Sequence, residues 1–210
     1  MINQLAAFLG DATYGFLAVN FLFGVFQVLV VWRRVWQLRF RRQQAETEFT
    51  EQLETLLNAR DYDAAAQMCD YDYRGLPRLC LLMLANRRFH YDKLRQLVAE
   101  SMQRDILADL EYRLSWIATV IKNGPLLGLF GTVLGMMASF GRIGSGEKVQ
   151  PSVIAEDISI ALICTAMGLL TAIPLGYVLS NLTIKVRVLQ ESLGGGLSRI
   201  LEHFRHADAD

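Results

Sequence analysis

Ala12-Thr-Tyr-Gly-Phe-Leu-Ala-Val-Asn-Phe-Leu-Phe-Gly-Val-Phe-Gln-Val-Leu-Val-Val-Trp32 is the stretch that decides the fold. Asn20 and Gln27 are its only strongly polar interruptions. About 20 such residues are enough for an α-helix to cross a hydrocarbon core roughly 30 Å thick. The stretch does not read as a signal peptide, because nothing basic precedes it and no small-residue cleavage site follows. Arg33, Arg34, Arg39, Arg41 and Arg42 follow it instead. Such a basic cluster marks a cytoplasmic flank, so the N-terminus is expected on the outer side of the membrane.

Two further apolar segments lie outward from this one. The second runs from about Leu114 to Phe140, with Lys122, Asn123 and Pro125 in its first part and Leu126–Phe140 expected deep in the bilayer. Lys122 then sits near the cytoplasmic interface, where its stem can snorkel. The third spans about Val153–Leu182, with Glu156 and Asp157 at its outer edge. Fourteen Lys and Arg residues fall between Arg33 and Arg113, against Arg142 and Lys148 in the loop Gly141–Gln150. That asymmetry predicts an N-out, C-in, multi-pass membrane protein. The fold class expected is all-α: three transmembrane helices with long helical cytoplasmic extensions. The expected regions are 1–32 (periplasmic N-terminus and first span), 33–113 (cytoplasmic helices), 114–182 (second and third spans with a short periplasmic loop) and 183–210 (cytoplasmic C-terminal helix and tail).

Composition supports alternation between apolar and polar blocks. Of the 210 residues 52% are hydrophobic, too many for an ordinary soluble chain, yet 20% are charged, too many for one embedded throughout. The formal net charge of zero supplies no field favouring nucleic acid. Cys69, Cys80 and Cys164 form neither a disulfide framework nor a zinc-ligand spacing, and His90, His203 and His206 read as solvated. No metal and no cofactor is expected.

Residues 43–113 carry helical periodicity at Phe49, Leu53, Leu56 and Leu57, and again at Leu94, Leu97, Met102, Ile106 and Leu110. Gly75 and Pro77 divide the region into two helical parts, and nothing stops a helix between Tyr91 and Ile121. There is no P-loop, Gly-rich phosphate turn or nucleophile motif, so an enzyme is not expected. Asp61/Asp63 and Asp70/Asp72 read as solvated turn acids, and Tyr62, Tyr71, Tyr73 and Tyr91 as packing residues with polar tips. Gly194-Gly195-Gly196 can hinge a terminal helix.

Small residues are most informative in the second and third spans. Gly128, Thr132, Gly135 and Ser139 are spaced by four, three and four, and Ala161, Thr165, Gly168 and Ala172 repeat the pattern. At 3.6 residues per turn each set makes a narrow stripe. Such stripes permit close helix–helix approach in lipid. Alternatively they line a cavity that accepts another helix, with the Thr132 and Thr165 hydroxyls offered to water or to a visiting carboxylate. No Asp, Glu or His lies within 12–32, 126–140 or 158–182. Proton relays need an ionisable group near mid-depth, so a proton-moving role requires a partner to bring one.

Pro125-Leu-Leu-Gly-Leu-Phe-Gly-Thr-Val-Leu-Gly-Met-Met-Ala-Ser-Phe140 and Ser159-Ile-Ala-Leu-Ile-Cys-Thr-Ala-Met-Gly-Leu-Leu-Thr-Ala-Ile-Pro174 resemble two stretches of the MotA/TolQ/ExbB proton-channel family, most closely its ExbB/TolQ-type subunits. The resemblance implies a homo-oligomer, a pentamer, around a central pore. A dimeric, single-span ExbD/TolR-like partner would place its helices and an aspartate inside that pore. A TonB/TolA-like transducer would carry force towards the outer membrane. By the same resemblance Thr132 and Thr165 are polar pore-lining groups. Gly128, Gly131, Gly135, Ser139, Ala161, Gly168 and Ala172 complete a smooth wall, and Pro174 kinks the third span, with Thr171 placed to satisfy a freed backbone group. Where well-known ExbB and TolQ proteins have a glutamate, five residues before the third-helix threonine, this chain has Ile160. The residues also allow a non-conducting membrane scaffold that recruits proteins through its cytoplasmic helices.

Overall fold

The computed structural model of the chain describes residues 2–40, 43–144 and 150–207. Arg41, Arg42, Glu147 and Lys148, all used in the charge reading, lie outside the described residues, as does the side chain of His206. The described elements are all helical: α1 (Ile2–Leu38), α2 (Gln43–Asn58), α3 (Tyr62–Asp70), α4 (Gly75–Ala85), α5 (Tyr91–Ser101), a π-helical stretch (Met102–Leu107), α6 (Ala108–Gly144) and α7 (Pro151–Ala207). Three helical stretches, Ala12–Leu38, Tyr91–Gly144 and Pro151–Arg205, are long and apolar enough to cross a membrane. The chain forms two compact units, Met1–Leu29 with Leu114–Asn181 and Val30–Arg113 with Leu182–Asp210.

The first unit is a three-helix packing of the apolar stretches. Both polar residues of the opening stretch are accounted for within the protein. Asn20 donates its side-chain N–H to the Val120 carbonyl at 3.2 Å, and Gln27 is buried. An amide facing lipid without a partner would cost several kcal/mol, so these contacts fix which face of α1 meets α6. Gly24 allows the same approach, because a Cβ there would lie 2.7 Å from Val120 Cγ1 and 3.0 Å from Leu175 Cδ1. Phe23 stacks edge-to-face on Trp116 with ring centroids 5.7 Å apart.

The second unit contains four short helices between residues 43 and 101, where two helical parts were expected. The additional breaks have local causes. Arg60 takes φ 58°, a left-handed conformation that ends α2, and Asp61 then caps α3 by accepting the Ala64 N–H at 3.1 Å. Gly75-Leu-Pro77 does divide the region as expected, but by opening α4. Pro77 lies in the first turn, where its missing N–H costs nothing. Another break falls at 86–90, before α5. Tyr71 and Tyr73 correct the packing expectation: they stand 88% and 92% exposed on the loop between α3 and α4. Tyr62 meets the Arg87 guanidinium, 4.8 Å from its ring centroid.

From Tyr91 the helix continues unbroken to Gly144, as the lack of a stop signal predicts. The π-helical stretch has no counterpart in the sequence reading. Its wider turn absorbs a register change, and two successive residues, Ile106 and Leu107, are both buried between Val98 and Leu110. Leu182, Val186, Leu189, Leu193, Leu197 and Ile200 form a buried stripe on α7 at helical spacing. The triple glycine does not hinge α7, which runs through it to Ala207. Gly196 instead serves close packing, since a Cβ there would meet both Leu76 methyls at 2.9 Å. Reciprocally, a Cβ on Gly75 would lie 3.1 Å from Leu193 Cδ2.

Candidate functional site between the second and third spanning helices

α6 and α7 meet along glycines so closely that backbone touches backbone. A Cβ on Gly168 would lie 2.5 Å from the Gly124 carbonyl oxygen, and one on Gly128 would lie 2.7 Å from the Cys164 oxygen and 2.9 Å from the Thr165 Cα. Further along, a Cβ on Gly131 would lie 2.9 Å from the Cys164 Cβ, and one on Gly135 would lie 2.7 Å from the Ala161 Cβ. In lipid no hydrophobic force drives helices together, so van der Waals contact at this range holds the pair.

The contacting stripe on α6 is therefore Gly124, Gly128, Gly131, Gly135, and then Ser139. It faces Asp157, Ala161, Cys164, Gly168 and Ala172 on α7. The sequence-derived stripes share most of these residues but place Thr132 and Thr165 where the contacts use Gly131 and Cys164. Gly124 and Cys164 were missed. For Gly124 the signal was present, since it lies four residues before Gly128 in the same register. Cys164 carries no such signal, because a cysteine in sequence points to thiol chemistry before it points to small size.

Beside the seam, the side chains of the two threonines have different surroundings. Thr132 is buried and donates its hydroxyl to the Leu129 carbonyl at 2.7 Å, a bond within its own helix. The Thr165 hydroxyl oxygen is also buried, yet it has no hydrogen-bond partner, the one such side-chain atom among the described residues. A buried, unpaired hydroxyl is costly, and native chains rarely leave one without a ligand, water or second chain to meet it.

Pro174 lies inside the continuous α7 and cannot donate to the Leu170 carbonyl. The Thr171 hydroxyl, expected to compensate for such a freed group, donates instead to the Gly168 carbonyl at 2.7 Å. That geometry follows from the i−3 reach of a threonine on its own helix. At the far end of the pair, Ser139 Oγ donates to Asp157 Oδ2 at 3.2 Å, and Arg142 Nη1 meets the same oxygen at 3.2 Å. Tyr14 on α1 donates to the Ile160 carbonyl at 3.0 Å, one turn further along α7. Leu129, Phe130, Ile163, Leu169 and Leu170 point away from these contacts and are exposed in the isolated chain.

Three helices long and apolar enough to cross a membrane, two of them cinched by glycine and bearing an unsatisfied hydroxyl beside the seam, describe a helical membrane protein. Comparison with known proteins gives the particular family. The model of the MotA/TolQ/ExbB proton channel family matches residues 77–194, more than half of the chain, and the chain belongs to that family. It is 36% identical over 94 residues to the Tol-Pal system protein TolQ of Haemophilus influenzae, covering 45% of this chain and 41% of that protein. It is 43% identical over 79 residues to the biopolymer transport protein ExbB of Aquifex aeolicus, covering 38% of this chain and 53% of the relative. It is 45% identical over 65 residues to TolQ of Pseudomonas aeruginosa, covering 31% and 28%. The matched stretch thus spans about half or less of each relative's own length.

Proposed function

We propose that this chain is the pore-forming subunit of a proton-motive-force-driven motor in a bacterial inner membrane, energising outer-membrane transport or envelope maintenance. The observation that carries the reading is the Thr165 hydroxyl, buried and without a partner beside the α6–α7 seam. Its spans hold no Asp, Glu or His at mid-depth, so the titrating carboxylate comes from a second protein. A dimeric, single-span ExbD/TolR-like partner supplies it, inside a pentamer of this chain. Thr165 meets the partner's carboxylate or the water bound to it, and Thr132 lines the same pore. Gly128, Gly131, Gly135, Ala161, Gly168 and Ala172 keep each subunit's helix pair thin, and Pro174 bends the third span. Residues 33–113 and 183–210 lie in the cytoplasm and the N-terminus in the periplasm, as the arginines after Trp32 favour. A TonB/TolA-like protein takes up the resulting motion.

Native mass spectrometry of the complex extracted gently from its own membrane tests this. Five copies of this chain with two of a single-span protein bearing a membrane aspartate are expected. A homo-oligomer alone, in repeated preparations, would instead favour a non-conducting scaffold. One observation speaks for that second reading: the glycine stripes are already used for packing within one chain.

A further inference from the structure

Where α1 leaves its apolar run, a cavity of about 480 Å³ opens that the motor reading does not use. Val30, Arg33, Arg34 and Gln37 of α1 line one side, and Asp109 and Arg113 of α6 line the other. The sequence sets its level. The first apolar run ends at Trp32 and the second begins at Leu114, so both walls lie where apolar chain passes into charged chain. From Val30 to Gln37 the helix rises about 10 Å, enough to cross a headgroup layer roughly 5–8 Å thick. Trp32, Trp36 and Tyr112, neighbours of the lining residues in sequence, are exposed. Such rings favour the membrane–water interface, and the Lys185 Nζ lies 3.8 Å from the Trp32 ring centroid.

The lining is charged and unbalanced. Three guanidiniums stand against one carboxylate, an excess of two positive charges. Asp109 is already engaged, because its Oδ1 accepts the Arg113 Nε–H at 3.1 Å one turn along α6, which orients that guanidinium. Neither Arg33 nor Arg34 forms an ion pair among the described residues. The helical repeat sets Val30 in line with Arg34 and Arg33 in line with Gln37. An apolar side chain therefore closes the membrane end of the cavity and an amide its water end. Scattered interfacial arginines need only water, whereas two unpaired guanidiniums opposite a third across a cavity select an anion. Guanidinium forks match phosphate oxygens, and basic pockets between membrane helices suit phospholipid headgroups. A free anion would leave the Val30 end unfilled, while a lipid brings glycerol and acyl carbons to it.

We propose that this cavity holds the phosphodiester of an anionic phospholipid, with Arg33, Arg34 and Arg113 on its oxygens and Val30 against its glycerol. The inference needs the spanning helices but not the pore. A lipid held there ties the end of α1 to the start of α6.

The test uses the complex purified from its native membrane, stripped of lipid in neutral detergent and titrated with phosphatidylglycerol or phosphatidylcholine of matched acyl chains. Native mass spectrometry reads the lipid retained. One phosphatidylglycerol per copy of this chain is expected, with phosphatidylcholine bound about tenfold more weakly or less. Arg34→Gln and Arg113→Gln should each weaken phosphatidylglycerol about tenfold, with unchanged thermal unfolding. Arg39→Gln removes the same charge just beyond α1 but outside the lining, and should leave binding unchanged. An equal loss in Arg39→Gln would mean a diffuse field and no site, and equal binding of the two lipids would mean no selection for an anion; either overturns the proposal. Displacement of the lipid by millimolar inorganic phosphate would assign the cavity to a soluble anion and overturn it as well. Should a glutamine substitution prevent assembly, Arg34→Lys and Arg113→Lys decide by the same comparison, since each keeps the charge and loses the fork. Wild-type binding in both would overturn the proposal.

Discussion

Replacing Thr165 by Val exchanges a hydroxyl for a methyl of nearly the same shape, and the structure predicts opposite effects on stability and on function. In the subunit alone the hydroxyl oxygen is buried and unpaired, a situation that costs about 1–3 kcal/mol where water cannot reach the group. Valine removes that penalty and keeps the volume beside Gly128. The isolated subunit should therefore be as stable as wild type, or more stable by about 1 kcal/mol. Thr132→Val is the internal comparison. It removes a 2.7 Å bond to the Leu129 carbonyl, but that carbonyl remains in the helical ladder, so a loss of about 0.5–1 kcal/mol is expected. Thermal unfolding of the purified subunit in detergent reads the first effect, and proton uptake by the reconstituted complex reads the second. Thr165→Val should raise or preserve the melting temperature and abolish most of the flux. A clear fall in melting temperature would mean the hydroxyl is satisfied within the chain, and full flux would mean it does not serve the pore; either result refutes the reasoning.

Gly168→Ala places a methyl 2.5 Å from the Gly124 carbonyl oxygen, with backbone on both sides, so α6 and α7 must part. A destabilisation of about 1–3 kcal/mol is expected, visible as a lower melting temperature, whereas Gly176→Ala, with open space around it, should be tolerated. In the second unit, Gly194→Ala should stabilise α7 by about 1 kcal/mol, because nothing lies within 4 Å of its new methyl. Gly196→Ala should forfeit that gain against Leu76, and urea titrations distinguish the two. Burial pushes the Cys69 thiol up from 9.0 to about 12, with Asp72 adding to the shift, and burial also raises Cys80. Both thiols should resist alkylation at pH 8 until the chain unfolds. Below pH 9 the thiols are protonated in both states, so they add no pH dependence. Between pH 9 and about 12 only the unfolded chain loses the Cys69 proton, so stability should fall across that window. A flat stability profile there would contradict the burial.

The three apolar helices were legible because bilayer thickness imposes a length on any spanning segment and the arginines after Trp32 close the first apolar run of sequence. The family was legible because two local stretches, 125–140 and 159–174, carry small residues and threonines in an order that packing alone does not require. Local patterns failed where the deciding contact lies far away in the chain. Nothing near Gly194–Gly196 says that α7 will run on through three glycines with Leu76 packed against the last of them, and nothing near Leu107 announces a wider helical turn. The same limit applies to the site. A spacing of four, three and four identifies a stripe of small residues, but the angle at which two helices cross selects its register. In the structure Gly131 and Cys164 take the seam, and the Thr165 hydroxyl is buried without a partner. The sequence by itself determined that three helices cross a membrane and that two of them can approach closely. Only the tertiary structure decided which atoms that approach consumes and which it leaves unpaired, because close packing is settled by contacts between backbones that no single segment contains.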